Sequence, residues 1–219
     1  MKRWGRRTVT PTSRRAAVAA LALLLGCAGC TAGPGEPADP PAEGPAPPVG
    51  FQASVVVRGQ SLHITYELVN TGDASLTVFN RVSSYSWSGT PSDDPAGVYV
   101  TGTGESGRVQ IAKRVFPRPD TDKVSWAVTP RTGAVTVAPG ASVREEFDVA
   151  LPLQRHHPYG DDLGDGPVKL PDPVREVVFC LGVARTSELP AASAESTYPH
   201  DATVSGVQHL SCSEPVEIS

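Results

Sequence analysis

Residues 61–79 read SLHITYELVNTGDASLTVF, and their alternation sets the expected architecture. Leu62, Ile64, Tyr66 and Leu68 occupy every second position. Side chains of an extended chain point alternately to opposite faces, so a period of two describes a strand with one apolar face. Asn70-Thr71-Gly72-Asp73 follows, and because Asn and Gly tolerate left-handed backbone angles it reads as a turn. Leu76-Thr77-Val78-Phe79 then returns as the next strand.

The pattern continues in both directions. Upstream, Phe51, Ala53, Val55 and Val57 alternate until Gly59. Downstream, strands are expected over 82–88, 98–101, 108–116, 123–129, 134–137, 142–151, 174–183 and 203–212. A Pro139-Gly140 turn precedes the strand in which Val143, Phe147, Val149 and Leu151 alternate with polar positions. The 21 Gly and 22 Pro of the 219 residues punctuate these runs. No stretch carries three-four apolar spacing over three turns, so no helix is expected. Short strands with turns every ten residues or so predict an all-β fold, an antiparallel β-sandwich of about nine strands over residues 50–219.

Two turns with their flanking strands, 62–78 with its NTGD and 137–151 with its Ala-Pro-Gly, resemble bacterial immunoglobulin-like modules. Among these are the adhesion-type repeats of surface proteins and the proteinase-inhibitor domain family of bacilli. The resemblance implies an immunoglobulin-like sandwich. Through the inhibitor family it also implies a rigid, protruding loop able to slow a protease.

The N-terminus has three parts. Lys2, Arg3, Arg6, Arg7, Arg14 and Arg15 precede an apolar run over 16–25, and small residues surround Gly26-Cys27-Ala28-Gly29-Cys30. Ten or so apolar residues would cover only about half of a ~30 Å hydrocarbon core, which fits a signal peptide and not a stable span. Leu24-Leu25-Gly26-Cys27 resembles the lipobox of bacterial lipoproteins, with Leu three residues before the Cys and a small residue just before it. That resemblance implies a signal peptide over residues 1–26, cleavage after Gly26 and a diacylglycerol thioether on Cys27. Cys30 is the alternative: it follows Gly29, but Cys27 fills its Leu position. Ser13-Arg14-Arg15-Ala16-Ala17-Val18 loosely resembles a twin-arginine export motif but lacks its bulky fifth residue, so the general secretory route is expected. The expected address is the outer face of the cell membrane, with a lipid anchor and, by that processing, palmitate among its acyl chains.

Residues 27–49 form the lipidated Cys and a Pro/Gly/Ala-rich tether. Thr31 onward reads TAGPGEPADPPAEGPAPPV, without an aromatic residue. Such a composition buries too little apolar surface to offset the entropy of ordering. A polyproline-like spacer with a reach on the order of 60 Å is expected. Beyond the leader the chain is acidic, all six leader charges being basic in a protein of net charge −4. An acidic body is a poor partner for phosphate backbones, so no nucleic-acid binding is expected.

Cys180 and Cys212 lie in apolar, strand-like contexts without Cys-x-x-Cys spacing, and a structural disulfide is expected in an oxidising compartment. The polar segment 154–172 holds His156, His157, Tyr159, Asp161, Asp162 and Asp165, residue types able to ligate zinc, copper or calcium. Adjacent His residues on a strand point to opposite faces, however, and the Asp spacing lacks the calcium-loop pattern. A solvated loop is the default there, with no cofactor. Tyr85 and Trp87 alternate with Ser84, Ser86 and Ser88, so both rings leave one face, either into the core or as an aromatic platform for a glycan or peptide. Trp126, between Val124 and Val128, is expected in the core.

Catalytic signatures such as Gly-x-Ser-x-Gly and His-Glu-x-x-His are absent from the sequence. His63, His200 and His209 are far apart along the chain, which leaves only their placement in space open. The functional expectation is a non-catalytic binding or scaffold module at the cell envelope, not an enzyme. Its expected partners are the membrane, through the anchor, and an envelope protein or glycan. A proteinase inhibitor and a metal-binding envelope protein are the alternatives.

Overall fold

A computed structural model describes residues 35–37, 39–82, 94–192 and 196–218. Among the described residues the chain forms eleven strands and one short α-helix. Two sheets pack face to face. The smaller has the order β1 (Val49–Arg58), β2 (Ser61–Asn70), β7 (Ser142–Ala150), all antiparallel. The larger follows the path β4 (Tyr99–Gly102), β5 (Arg108–Lys113), β8 (Glu176–Arg185), β3 (Leu76–Arg81), β6 (Arg131–Val137), β9 (Thr197–Pro199). Two further strands, β10 (His209–Cys212) and β11 (Val216–Glu217), pair with β8. The all-β sandwich is therefore the fold, with one departure from an antiparallel plan: β5 and β8 run parallel.

The alternation in β2 does what its period requires. Leu62, Ile64, Tyr66 and Leu68 enter the space between the sheets, where they meet Val78, Ile111, Phe147, Phe179 and Leu181. Tyr66 stacks on Phe179 with ring centroids 5.3 Å apart, and Phe147 packs edge-on against the same ring at 5.9 Å. The larger sheet is also covered on its other side. There Phe79, Val115, Ala184, Tyr198 and Val204 form a second cluster, which explains why β3 is buried on both faces.

The 70–75 turn departs from the simple return that the sequence suggests. β3 does not pair with β2 but crosses into the larger sheet. Gly72 is needed for space and not for a left-handed angle, since a Cβ there would sit 2.7 Å from Pro48 Cγ. Asn70 organises the crossing with its side chain: Oδ1 accepts from Gly72 N at 3.0 Å, while Nδ2 donates to Ala74 O at 2.8 Å and Val137 O at 3.0 Å. The second crossover, from β6 to β7, turns at Ala138–Ala141. Its Gly140 has φ 74°, and Ala141 N donates to Ala138 O at 3.0 Å. Proline followed by a left-handed glycine is the pattern of a type II turn.

Three other expectations change. Residues 123–129 are irregular, bracketed by Pro117, Pro119 and Pro130, which have no N–H to give a ladder. Trp126 is accordingly half-buried at the surface and is not a core residue. The start of the expected 203–212 strand is helical: α1 (Ala202–Gly206) is capped by Asp201, whose carboxylate accepts from Val204 N at 2.9 Å, and only 209–212 is strand. In the expected 82–88 strand only Val82 lies among the described residues. No helix among the described residues is long and apolar enough to cross a membrane.

Cys180 and Cys212 form a disulfide between directly opposed positions of β8 and β10.

Candidate functional site

Sequence reasoning singled out four regions, and two of them lie outside the described residues: Cys27 with Cys30, and Tyr85 with Trp87. The 154–172 segment is described, and its polar groups disperse. His156 pairs with Val100 at the edge of the larger sheet, and its Nδ1 lies 2.6 Å from Val98 O. His157 turns the other way, into a buried aromatic cluster. Asp161 accepts from Arg155 Nη1 at 2.9 Å. Asp162 accepts from the backbone N–H of Gly164 at 2.7 Å and Gly166 at 3.1 Å, a local turn. Among the described residues, no group of three His, Cys, Asp or Glu is arranged to hold a metal ion. The proposed His156, His157, Asp161 and Asp162 set is thus not assembled.

The buried cluster beneath this loop is built on β4. Val98 and Val100 face the intersheet core, so Tyr99 points to the opposite side. Tyr99 Oη meets His200 Nε2 at 2.8 Å, and Phe116 N donates to His200 Nδ1 at 3.0 Å. A ring nitrogen that accepts carries no proton, so the neutral His200 donates through Nε2. His157 behaves alike, its Nδ1 accepting from Tyr159 N at 3.2 Å. Tyr159 Oη in turn donates to the His200 carbonyl.

Burial holds His157 down at about 3, helped by the Arg155, Arg114 and His156 charges, and it holds His200 well below the ordinary imidazole range. Burial also raises Tyr99, and raises Tyr159 to about 12. These groups lock two long irregular segments, 114–130 and 151–175, onto the sheet. His63, by contrast, sits across the molecule's smaller sheet between Glu146 and Asp148, at 3.3 and 3.2 Å, and does not meet His200 or His209.

Above the cluster, Trp126 stands edge-on to Tyr159 at 4.9 Å and donates through Nε1 to Tyr159 O at 3.1 Å. Arg118 lies 5.5 Å over its ring, and Val128 is 75% exposed. Beside them runs a groove of about 700 Å³ lined by Pro37, Pro40, Pro117, Arg118 and Leu163 among others. Fixed loops carrying half-exposed aromatic and apolar side chains form a surface suited to recognition.

The Pro-rich segment, read from sequence as a spacer without fixed partners, is held against the body over its described part. Glu36 accepts from Arg155 Nε at 2.7 Å and Nη2 at 2.9 Å. Asp39 pairs with the buried Arg114. Arg185 donates to Pro45 O at 2.8 Å and Ala46 O at 3.3 Å, and Thr71 N donates to Pro48 O at 3.2 Å. Composition hid this because the attachment rests mainly on carboxylates and carbonyls, with Pro47 the one buried apolar side chain of its described part.

Sequence reasoning missed one further group. Glu145, Lys113, Asn80, Tyr66 and Arg81 meet between the sheets. Lys113 Nζ donates to Glu145 Oε2 at 2.6 Å, Tyr66 Oη to the same oxygen at 2.6 Å, and Arg81 Nη1 and Asn80 Nδ2 to Oε1 at 2.6 and 2.9 Å. Burial raises the Glu145 pKa, but the Lys113 charge and the donors from Lys113, Tyr66 and Arg81 outweigh it and hold it below the ordinary value. Periodicity carried the signal: Lys113 continues Val109 and Ile111, Asn80 continues Leu76 and Val78, and Glu145 lies between Val143 and Phe147, each in the inward register. Compared with protein families, with characterised proteins and with solved structures, the chain gives no match.

Proposed function

We propose that this protein is an exported lipoprotein of the cell envelope whose β-sandwich is a non-catalytic binding or scaffold module held close to the membrane. The observation that carries the reading is the bidentate bond between Glu36 and Arg155. If Cys27 bears the lipid, only eight residues lie between anchor and clamp, a span on the order of 30 Å when fully extended. The recognition surface around Trp126 and Val128 belongs to the same body and so works near the bilayer, against an envelope protein or glycan. The titratable side chains a hydrolase would use support a non-catalytic reading. His156, His157 and His200 each make a bond that fixes a loop.

The test has two arms. Cells fed an alkyne-bearing palmitate are expected to label the protein and retain it in membranes. Cys27→Ala should lose both properties and Cys30→Ala neither. A wild-type chain that is unlabelled and released to the medium overturns the anchor. The second arm is photo-cross-linking in intact envelopes from positions 126 and 128, with position 56 on the smaller sheet as control. One discrete adduct shared by 126 and 128, with the adduct from 128 reduced by Trp126→Ala, is the expected result. Identical adducts at all three positions count against a binding face. Slowing of an added protease by an uncut 117–130 loop would favour the inhibitor reading instead.

A further inference from the structure

We propose that Lys113 and Asn80 form an amide cross-link between their side chains, made by the protein itself, with Glu145 as the catalytic residue that carries the proton. Such a reaction needs an amine, a carboxamide and a proton carrier held together out of water. All three occur between the sheets. Lys113 and Asn80 are fully buried, and the Glu145 side chain is 8% exposed. Lys113 Nζ lies 3.4 Å from the Asn80 backbone carbonyl and 4.5 Å from the centre of the Phe147 ring.

Glu145 makes the arrangement specific. One of its oxygens is 2.6 Å from Lys113 Nζ, the attacking nitrogen, and the other is 2.9 Å from Asn80 Nδ2, the leaving nitrogen. A single carboxylate therefore touches both atoms between which a proton must pass. Asn80 Oδ1 is buried without a hydrogen-bond partner among the described residues. An orphaned carboxamide oxygen costs stability in a finished core, so its presence calls for an explanation. Burial pushes the Lys113 pKa down despite the Glu145 charge, which enlarges the share of neutral, nucleophilic amine. Shared attachment supplies the rest, because holding both nitrogens on one carboxylate meets much of the entropic cost of their encounter in advance.

The step balances without an oxidant or a cofactor. The Lys113 Nζ lone pair attacks Asn80 Cγ as Glu145 takes a proton from Nζ. Glu145 then delivers that proton to Nδ2, the Cγ–Nδ2 bond breaks, and ammonia leaves. A secondary amide remains between Nζ and Cγ. Where Lys113 starts as an ammonium its extra proton leaves with the ammonia as ammonium ion, so a buried charge gives way to a neutral amide and a desolvation cost is relieved. Glu145 keeps Arg81 and Tyr66 as partners, so its own charge is not stranded. The bond would tie β3 to β5 across β8, the strand that Cys180 already ties to β10.

Peptide mapping of the full-length purified protein, after reduction, tests this. The expected result is a branched peptide joining the Lys113 and Asn80 fragments, one ammonia lighter than their sum, with no tryptic cleavage after Lys113. Glu145→Gln and Lys113→Arg should give separate, unmodified fragments. Asn80→Asp should give a branched product of the same mass as wild type, now through loss of water. Wild-type fragments that are separate and of full mass overturn the proposal. So does loss of ammonia with Lys113 still cleavable, which would mark a ring closure at Asn80 alone. The wild-type result decides even if a variant fails to fold.

Discussion

Arg155 receives Glu36 in a two-point bond, the guanidinium Nε and Nη2 each donating to a separate carboxylate oxygen at 2.7 and 2.9 Å. Both side chains are largely withdrawn from water, at 5% and 9% exposure. The pair is the first described attachment of a segment whose composition alone suggests none. Removing one partner of a desolvated pair leaves the other charge uncompensated, at a cost of roughly 3 kcal/mol. Asp161 also contacts Arg155 and softens that loss. Glu36→Ala is therefore expected to destabilise the fold by about 2–3 kcal/mol in urea. It should also speed hydrogen exchange and proteolysis over residues 39–48. Unchanged exchange there would mean the segment is held without Glu36.

Acid should weaken the protein through its buried imidazoles. His157 titrates at about 3 in the folded state against 6.5 for a free side chain, so the unfolded chain binds the extra proton between those values. Stability from this residue is complete above pH 6.5 and falls as pH drops through that window toward 3. The slope is about 1.4 kcal/mol per pH unit for one such group. His200 shifts in the same direction and steepens the loss. His157→Gln keeps an acceptor for Tyr159 N and removes the titration. Urea midpoints at pH 7 and pH 5 should therefore converge in the variant relative to wild type.

The fold was legible where one physical rule dominated. Alternation at Leu62–Leu68 and Phe147–Leu151 places strands because a half-buried strand admits no other pattern. It could not show that β3 leaves for the other sheet, since β3 is buried on both faces and carries no single apolar side. It also misled at Val124, Trp126 and Val128, where the same spacing occurs in a proline-bracketed loop and the ring rests on Tyr159. The disulfide was legible from two cysteines in apolar, strand-like runs without Cys-x-x-Cys spacing. The dispersal of His156 and His157 was half legible, because neighbours on extended backbone point apart. The Glu145 cluster was visible only to someone who counted polar residues in the inward register as information and not as noise.

Cross-linking β8 to β10 constrains the unfolded chain. The paired cysteines are 32 residues apart in sequence. Closing a loop of that length is worth about 3–4 kcal/mol in the chain-entropy account. A Cys180→Ala/Cys212→Ala double variant should lose that much in urea unfolding, and reductant should bring the wild type to the same midpoint. A wild type insensitive to reductant would remove the disulfide from the stability argument.

Asn70 ties together both crossovers between the sheets. Beyond its side-chain bonds to Ala74 and Val137, its N–H donates to Ala141 O at 2.9 Å and its carbonyl accepts from Gly140 N at 2.9 Å. Asn70→Ala leaves the buried Val137 carbonyl, and the part-buried Ala74 carbonyl and Gly72 N–H, without that partner, at roughly 1–3 kcal/mol per group that water does not reach. Partial rescue by water makes about 3 kcal/mol the expected loss. Gly140→Ala forces a Cβ into a left-handed angle and should cost about 1–2 kcal/mol. Because Gly140 N bonds the Asn70 carbonyl, the two changes act on one joint. The double variant should lose less than the sum of the singles, by 0.5 kcal/mol or more on the scale usual for contacting residues. Strict additivity in the denaturation cycle would show that the crossovers are held independently.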